Sequence, residues 1–351
     1  MASRSLAALL AGLLLVLVSG SATASSASSA QAPLSLSRPF DGQVGPARIN
    51  RAALGALTWR GGPITASTGD IVSVFVSDAL PGETPEKWAE FVAGLTHGSE
   101  LASLTSNIAT LDEVQQLCGA RALGCYSGNR MVSLGEPAPD GTTPEEVVRH
   151  EYGHHVAFHR LNTPWRAIDW GPKHWASAAT VCTRVVAREA FPGDEGFNYA
   201  NNPGEAWAEA YRLMDERKAG ITTATWPIVS PSFFPDEAGL LAAERDVLEP
   251  WTASRKTVFR RTFAKTTKKP WWIPLPTPLD GDLVLNATVP LNALHEVALV
   301  AGNRRTVVRR AGWIGQRTKR ITTGVCGQRA YFVRVTPRGV AGRVTITVSS
   351  P

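Results

Sequence analysis

Five consecutive residues, His150-Glu151-Tyr152-Gly153-His154, constrain the fold more than any other part of the chain. Histidines four apart on an α-helix lie one above the other on a single face. Both imidazoles then reach one metal ion, but only if the stretch is helical. The flanking residues supply a helix start. Thr143 is an N-cap, Pro144 occupies the first helical position, and Glu146 completes a capping box. Val147, Val148, Tyr152, Val156 and Phe158 carry the helix to about residue 161. Glu151, directly after the first histidine, is placed to activate a water on such an ion. Tyr152 faces away from the metal side and reads as a core residue.

A catalytic zinc takes three protein ligands and leaves a fourth position for water. His150 and His154 supply two. The chain's other histidines are His97, His155, His159, His174 and His295. The extended three-histidine pattern needs glycine and histidine where Ala157 and Arg160 stand, so that form is ruled out. His155 and His159 read as structural, and nothing in the sequence decides whether His174 lines a cleft. A carboxylate is the better third ligand. Asn202-Pro203-Gly204-Glu205-Ala206-Trp207-Ala208-Glu209 opens a second helix, with Asn202 as N-cap. Glu205 and Glu209 share one face, so one can bind the metal while the other accepts a hydrogen bond from a ligand histidine. The spacing of three from Asn202 leaves a second option, in which Glu205 caps its helix and Glu209 is the ligand.

These two helices resemble those of the glutamate-ligand zinc metallopeptidases, the gluzincins. In relatives of the lethal-factor type, a helix of the form E-x-x-A-E-x-[FY] carries the zinc glutamate at its first position. That position maps to Glu205, with Glu209 and Tyr211 following. The match covers the two helices rather than the whole chain, and the thermolysin-type N-E-x-x-S-D form is absent. The resemblance implies a zincin-like catalytic domain holding one Zn2+ through His150, His154 and Glu205. Glu151 would then act as general base and afterwards as general acid on a zinc-activated water. Tyr199, six residues before Glu205, resembles a tyrosine placed to stabilise the oxyanion, although a packed loop aromatic is as good a reading. The expected activity is peptide-bond hydrolysis of a protein or peptide substrate. An inactive zincin acting as a wall- or surface-binding protein is disfavoured because Glu151 is intact. A zinc amidase acting on a non-protein amide is not separated from a peptidase by fold or motif.

The chain opens with Arg4, an apolar run over 6–18 and Ala22-Thr23-Ala24, which reads as a secretory signal peptide over 1–24. The run is too short to span a bilayer, and no transmembrane anchor is expected. Residues 25–65, Ser/Ala-rich at first, are expected to form a leader or propeptide. The catalytic domain is expected over 66–252 and a basic β-sandwich over 253–351. Export and an even cysteine count imply two disulfides, a local Cys118–Cys125 and a Cys182–Cys326 that ties the two halves together. Residues 253–351 hold 18 Lys and Arg against three acidic residues, a balance of +15, whereas the remainder holds 18 against 27, a balance of −9. The basic end is therefore expected to meet an anionic cell-surface polymer or membrane, to dock on the acidic half, or to be no more than a solvated basic face. A nucleic-acid motif is lacking.

The catalytic part reads as α+β. Strands are predicted over 71–76 and 130–134, and helices over 84–95, 111–117 and 236–248, with the Asn202 helix stopping at Gly220. From about residue 256 the period becomes two. Val344, Ile346 and Val348 point one way, and 283–285, 297–300, 306–308 and 331–335 read as further strands of a sandwich.

Overall fold

A computed structural model describes residues 49–221, 225, 229–311 and 317–351. The expected signal peptide and most of the expected leader lie outside these residues. The fold is mixed α+β.

The first part is organised by a sheet of β1 (Trp59–Thr65), β2 (Ile71–Ser77), β3 (Thr105–Ala109), β4 (Gly124–Ser127) and β5 (Arg130–Leu134). Their order is β1-β2-β3-β5-β4. β2, β3 and β5 run parallel, while β1 and β4 run antiparallel to their neighbours and end the sheet. Alternate residues feed two cores, as a pleated strand requires. Val72, Val74, Val76, Ile108 and Met131 pack in one with Trp88 and Val92 of α2 (Pro85–Ala93). Ala109, Val132 and Leu134 pack in the other with Val114 and Leu117 of α3 (Leu111–Cys118) and Ala53 of α1 (Arg51–Ala56). Asn50 caps α1, and β1 pairs with β2 over its whole length. The structured unit therefore begins well before residue 66, where the sequence reading placed it.

The motif helix α4 spans Pro144–Phe158. Thr143 Oγ1 accepts from Glu146 N at 3.3 Å, and the Glu146 carboxylate accepts from Thr143 N at 2.8 Å, so the predicted capping box is formed. The helix stops three residues short of the expected end. Arg160 turns away to donate to the Asp246 and Val247 carbonyls and to Glu100, and the chain then makes the short hairpin β6 (Leu161–Asn162) and β7 (Trp165–Arg166). Short helices α5 (Ala167–Trp170), α6 (Lys173–Ala178) and α7 (Val181–Ala187) lead to α8 (Pro203–Lys218), capped by Asn202, and α9 (Glu237–Leu248), capped by Asp236.

The second part holds two antiparallel sheets that share one core. One has the order β13-β10-β15-β8 and the other β12-β11-β14-β9. The strands are β8 (Arg255–Phe263), β9 (Trp271–Thr277), β10 (Gly281–Thr288), β11 (Glu296–Ala301), β12 (Val307–Arg310), β13 (Thr318–Val325), β14 (Arg329–Thr336) and β15 (Gly342–Ser350). Val344, Ile346 and Val348 point inward, as the period-two pattern requires.

Both expected disulfides are present, Cys118–Cys125 and Cys182–Cys326. Around the second, the two parts are joined by polar contacts. Buried Lys173 donates to Thr163 O at 2.7 Å and Asp280 O at 2.9 Å, and its ammonium faces the Trp251 and Trp165 rings. Ser177 Oγ accepts from Asp280 N at 2.9 Å. Across the joint the acidic half contributes the cation, Lys173, to the Asp280 carbonyl of the basic half, and accepts from the Asp280 amide on Ser177, so bulk charge asymmetry is not what joins them.

Cys182 and Cys326 are 144 residues apart in sequence. On a chain-entropy account, a cross-link closing so long a loop is worth about 5 kcal/mol. Replacing both cysteines by serine is expected to lower the denaturant midpoint strongly, whereas replacing Cys118 and Cys125 should cost less. Chemical unfolding followed by fluorescence of the tryptophans checks the order.

Candidate metal centre

The site is built where α4 crosses α8. A Cβ added at Gly153 would lie 2.8 Å from Ala208 Cα and 3.1 Å from Ala208 O, so the crossing admits only glycine here without a shift. Trp207 Nε1 donates to Gly153 O at 2.7 Å, and the buried pair Arg149–Asp215, at 2.9 Å, fixes the same two helices beside the motif. This close approach brings together residues 55 positions apart in sequence.

Among the described residues, His150, His154 and Glu205 form a group whose ligand atoms lie within 4.8 Å of one another. The two Nε2 atoms are 3.2 Å apart. Glu205 oxygens lie 3.2 Å from His150 Nε2 and 3.4 Å from His154 Nε2. A tetrahedral zinc with donors about 2.0–2.1 Å away spaces them about 3.3 Å apart, so the donor set fits that ion in type and spacing. His150 and Glu205 are buried. Burial opposes their charges, but the hydrogen bonds and charges of Glu205 and Glu209 raise the His150 pKa, and the charge of His154 with hydrogen bonds from both histidines lowers that of Glu205.

Glu209 stands on the other side of His150. Its Oε1 lies 2.8 Å from Nδ1, which fixes the ring and leaves Nε2 facing His154 and Glu205. Glu209 is itself held by Arg212, whose Nη2 lies 2.6 Å from Oε2, and Arg212 is braced by Glu216. The capping role for Glu205 left open by its spacing is not taken up, since Asn202 accepts from Gly204 N and Glu205 faces the histidines.

Glu151 is buried, and its Oε2 has no hydrogen-bond partner among the described residues. Desolvation pushes its pKa up to about 7 against the lowering effect of the two histidines. Gly124, the first residue of β4, makes room for it, because a Cβ there would fall 2.6 Å from Glu151 Oε1. Tyr199 O–H donates to Glu205 Oε2 at 2.6 Å, and burial keeps the phenol protonated. Tyr152 lies in the core with its hydroxyl 3.3 Å from Glu100. His155, sandwiched between Tyr126 O–H and Glu100 O, is structural, as is His159 beside Ser103 and Asn129. His97, His174 and His295 are not in the group.

Two groups escaped the sequence reading. Glu195 receives Asn202 Nδ2 at 2.9 Å and is close enough to Glu205 to share its field; desolvation and that charge raise it to about 7. Its loop carries no period that could have flagged it. Arg212, three residues after Glu209, was legible from helical spacing alone.

No protein-family model and no curated protein matches this chain. Among solved structures, the Yersinia pseudotuberculosis-derived mitogen matches at 9% identity and a TM-score of 0.23, over 28% of this chain and 87% of that one. PliG of Aeromonas hydrophila, a periplasmic inhibitor of g-type lysozyme, matches at 8% identity and 0.20, over 27% and 86%.

Glu205→Ala is expected to abolish stoichiometric metal retention, and Glu209→Ala to weaken it roughly 10- to 100-fold. Metal analysis after dialysis against graded chelator separates the two, and the reverse order would make Glu209 the ligand. Gly153→Ala should also loosen the metal, since it forces α8 away without touching a donor atom.

Proposed function

We propose that the chain is a secreted zinc-dependent peptidase, with a zincin-like catalytic domain of gluzincin type followed by a basic β-sandwich. The observation that carries the reading is the buried, unpartnered Glu151 carboxylate oxygen beside a His-His-Glu donor set of zinc spacing. A buried polar atom without a partner needs an explanation, and its place beside the His-His-Glu set lets a catalytic role supply one for Glu151. Two disulfides support residence in an oxidising compartment, and no described helix is long and apolar enough to cross a membrane.

When bound, zinc supplies Lewis-acid polarisation of the scissile carbonyl and acidifies water toward neutrality. Glu151 takes a proton from the attacking water on Oε2 and delivers it to the leaving amine. Tyr199 stays a neutral donor and serves the developing oxyanion, turning from Glu205 to do so. Glu209, held by Arg212, keeps His150 in the tautomer that presents Nε2. β4 ends its sheet beside Glu151, so an extended substrate can add to it as a further strand. The basic sandwich has a separate task in this reading, which is to hold the enzyme on an anionic polymer.

The purified mature protein is expected to carry about one zinc, and Glu151→Gln to keep it while losing ~10²–10⁴ in turnover. A peptide-library digest with and without chelator reads activity, metal dependence and cleavage preference together. Undiminished cleavage by the glutamine variant would sink the mechanism.

A further inference from the structure

The cations of the second part are not equally available. On the β12-β11-β14-β9 sheet, Arg310 and Arg334 pair with Glu296 at 3.1 and 2.8 Å, and Arg304 and Arg334 lie over the Trp272 ring. On the β13-β10-β15-β8 sheet the situation differs. Register places Arg260 beside Thr345, Val258 beside Thr347 and Lys256 beside Ser349. Because Val344, Ile346 and Val348 face the core, these partners face outward. The same rows continue through Thr288 and Asn286 of β10 to Thr318 and Arg320 of β13.

The outcome is a sheet face with hydroxyls and an amide at its centre and cations toward its edges. Thr345, Thr347, Ser349 and Asn286 occupy the middle, half-buried only by their neighbours. Lys256, Arg260, Arg320 and Arg343 flank them, all exposed, and among the described residues none of the four forms an ion pair with a carboxylate. The edge strands stand three strand spacings apart, about 14 Å. The face's one acidic residue, Asp282, sits at the end of β10 next to the joint, where it acts on Lys173.

We propose that this outer face binds an anionic polysaccharide, its cations engaging the carboxylate or phosphate groups and its Thr, Ser and Asn side chains the sugar hydroxyls. The proposal rests on the reading of the sandwich as a polymer-binding unit and assigns that role to one face. Charge complementarity selects a polyanion. The chemistry of the centre selects a sugar. A single-stranded nucleic acid would call for aromatic platforms, which this face lacks, and a membrane surface for apolar residues to insert, of which it offers only Val258 and Val284.

The test uses the full-length protein and immobilised polygalacturonate, with dextran as neutral control and oligodeoxythymidylate and phosphatidylglycerol vesicles as competitors. Wild type is expected to bind polygalacturonate in a salt-sensitive way and to ignore dextran. Arg260→Glu with Arg320→Glu should weaken binding tenfold or more, whereas Arg305→Glu with Arg309→Glu, equal in charge change but away from this face, should change it less than twofold. Thr345→Val with Thr347→Val, neutral in charge and suited to a strand, should weaken it several-fold. Equal loss from both charge-reversed pairs would overturn the face while leaving a polymer-binding unit. Unchanged binding in the valine variant, or stronger binding to the oligonucleotide or vesicles, would overturn the polysaccharide. No binding by wild type at low salt would overturn the reading beneath it as well.

Discussion

The close approach of α4 and α8 at Gly153 and Ala208 is the constraint on which the site depends. Two helices normally pack 8–10 Å apart, their side chains setting the distance. Here the middle of the motif lacks a side chain, and the facing residue has only a methyl. Two imidazoles and a carboxylate from separate helices can therefore share one small volume. The arrangement puts charge into the interior, which is tolerable only when each charge is answered. Arg149–Asp215 and Glu209–Arg212–Glu216 supply those answers on either side of the donor group.

Legibility from sequence followed local chemistry. The starts of α4 and α8 were readable because Thr143, Pro144, Glu146 and Asn202 satisfy backbone groups within a few residues. The stop of α4 was not, since it is imposed by Arg160 reaching carbonyls more than 80 positions away. β1 was hidden by Gly61 and Gly62, both at positive φ, the first of them lying where any side chain would strike Val74 O. β9 was hidden by Pro274 and Pro276, which are tolerated because it ends its sheet. β13 was missed because Lys319 and Thr323 share its buried side with Ile321 and Val325, so the apolar alternation that marks a strand is broken.

The site was legible to a similar degree. Helical spacing gave the two histidines and paired the two glutamates, but choosing between Glu205 and Glu209 required their surroundings. Glu209 faces Nδ1 of His150, while Glu205 sees Nε2 of both rings. No spacing rule carries that information, because it depends on how α8 is rotated against α4. Glu195 and Gly124 reach the site from a loop and a strand start, where position comes from the whole fold.

The joint between the two parts has a mechanical consequence. Only six residues separate α9 from β8, and the connection is doubled by Cys182–Cys326 and by Lys173 set among the Thr163 and Asp280 carbonyls. A flexible tether would let a catalytic domain sweep a sphere around its anchor and meet substrate by diffusion. A stapled joint removes that sweep. A surface that held the sandwich would also fix the height and the angle at which the His150-His154-Glu205 group is presented, so that reach would be traded for aim.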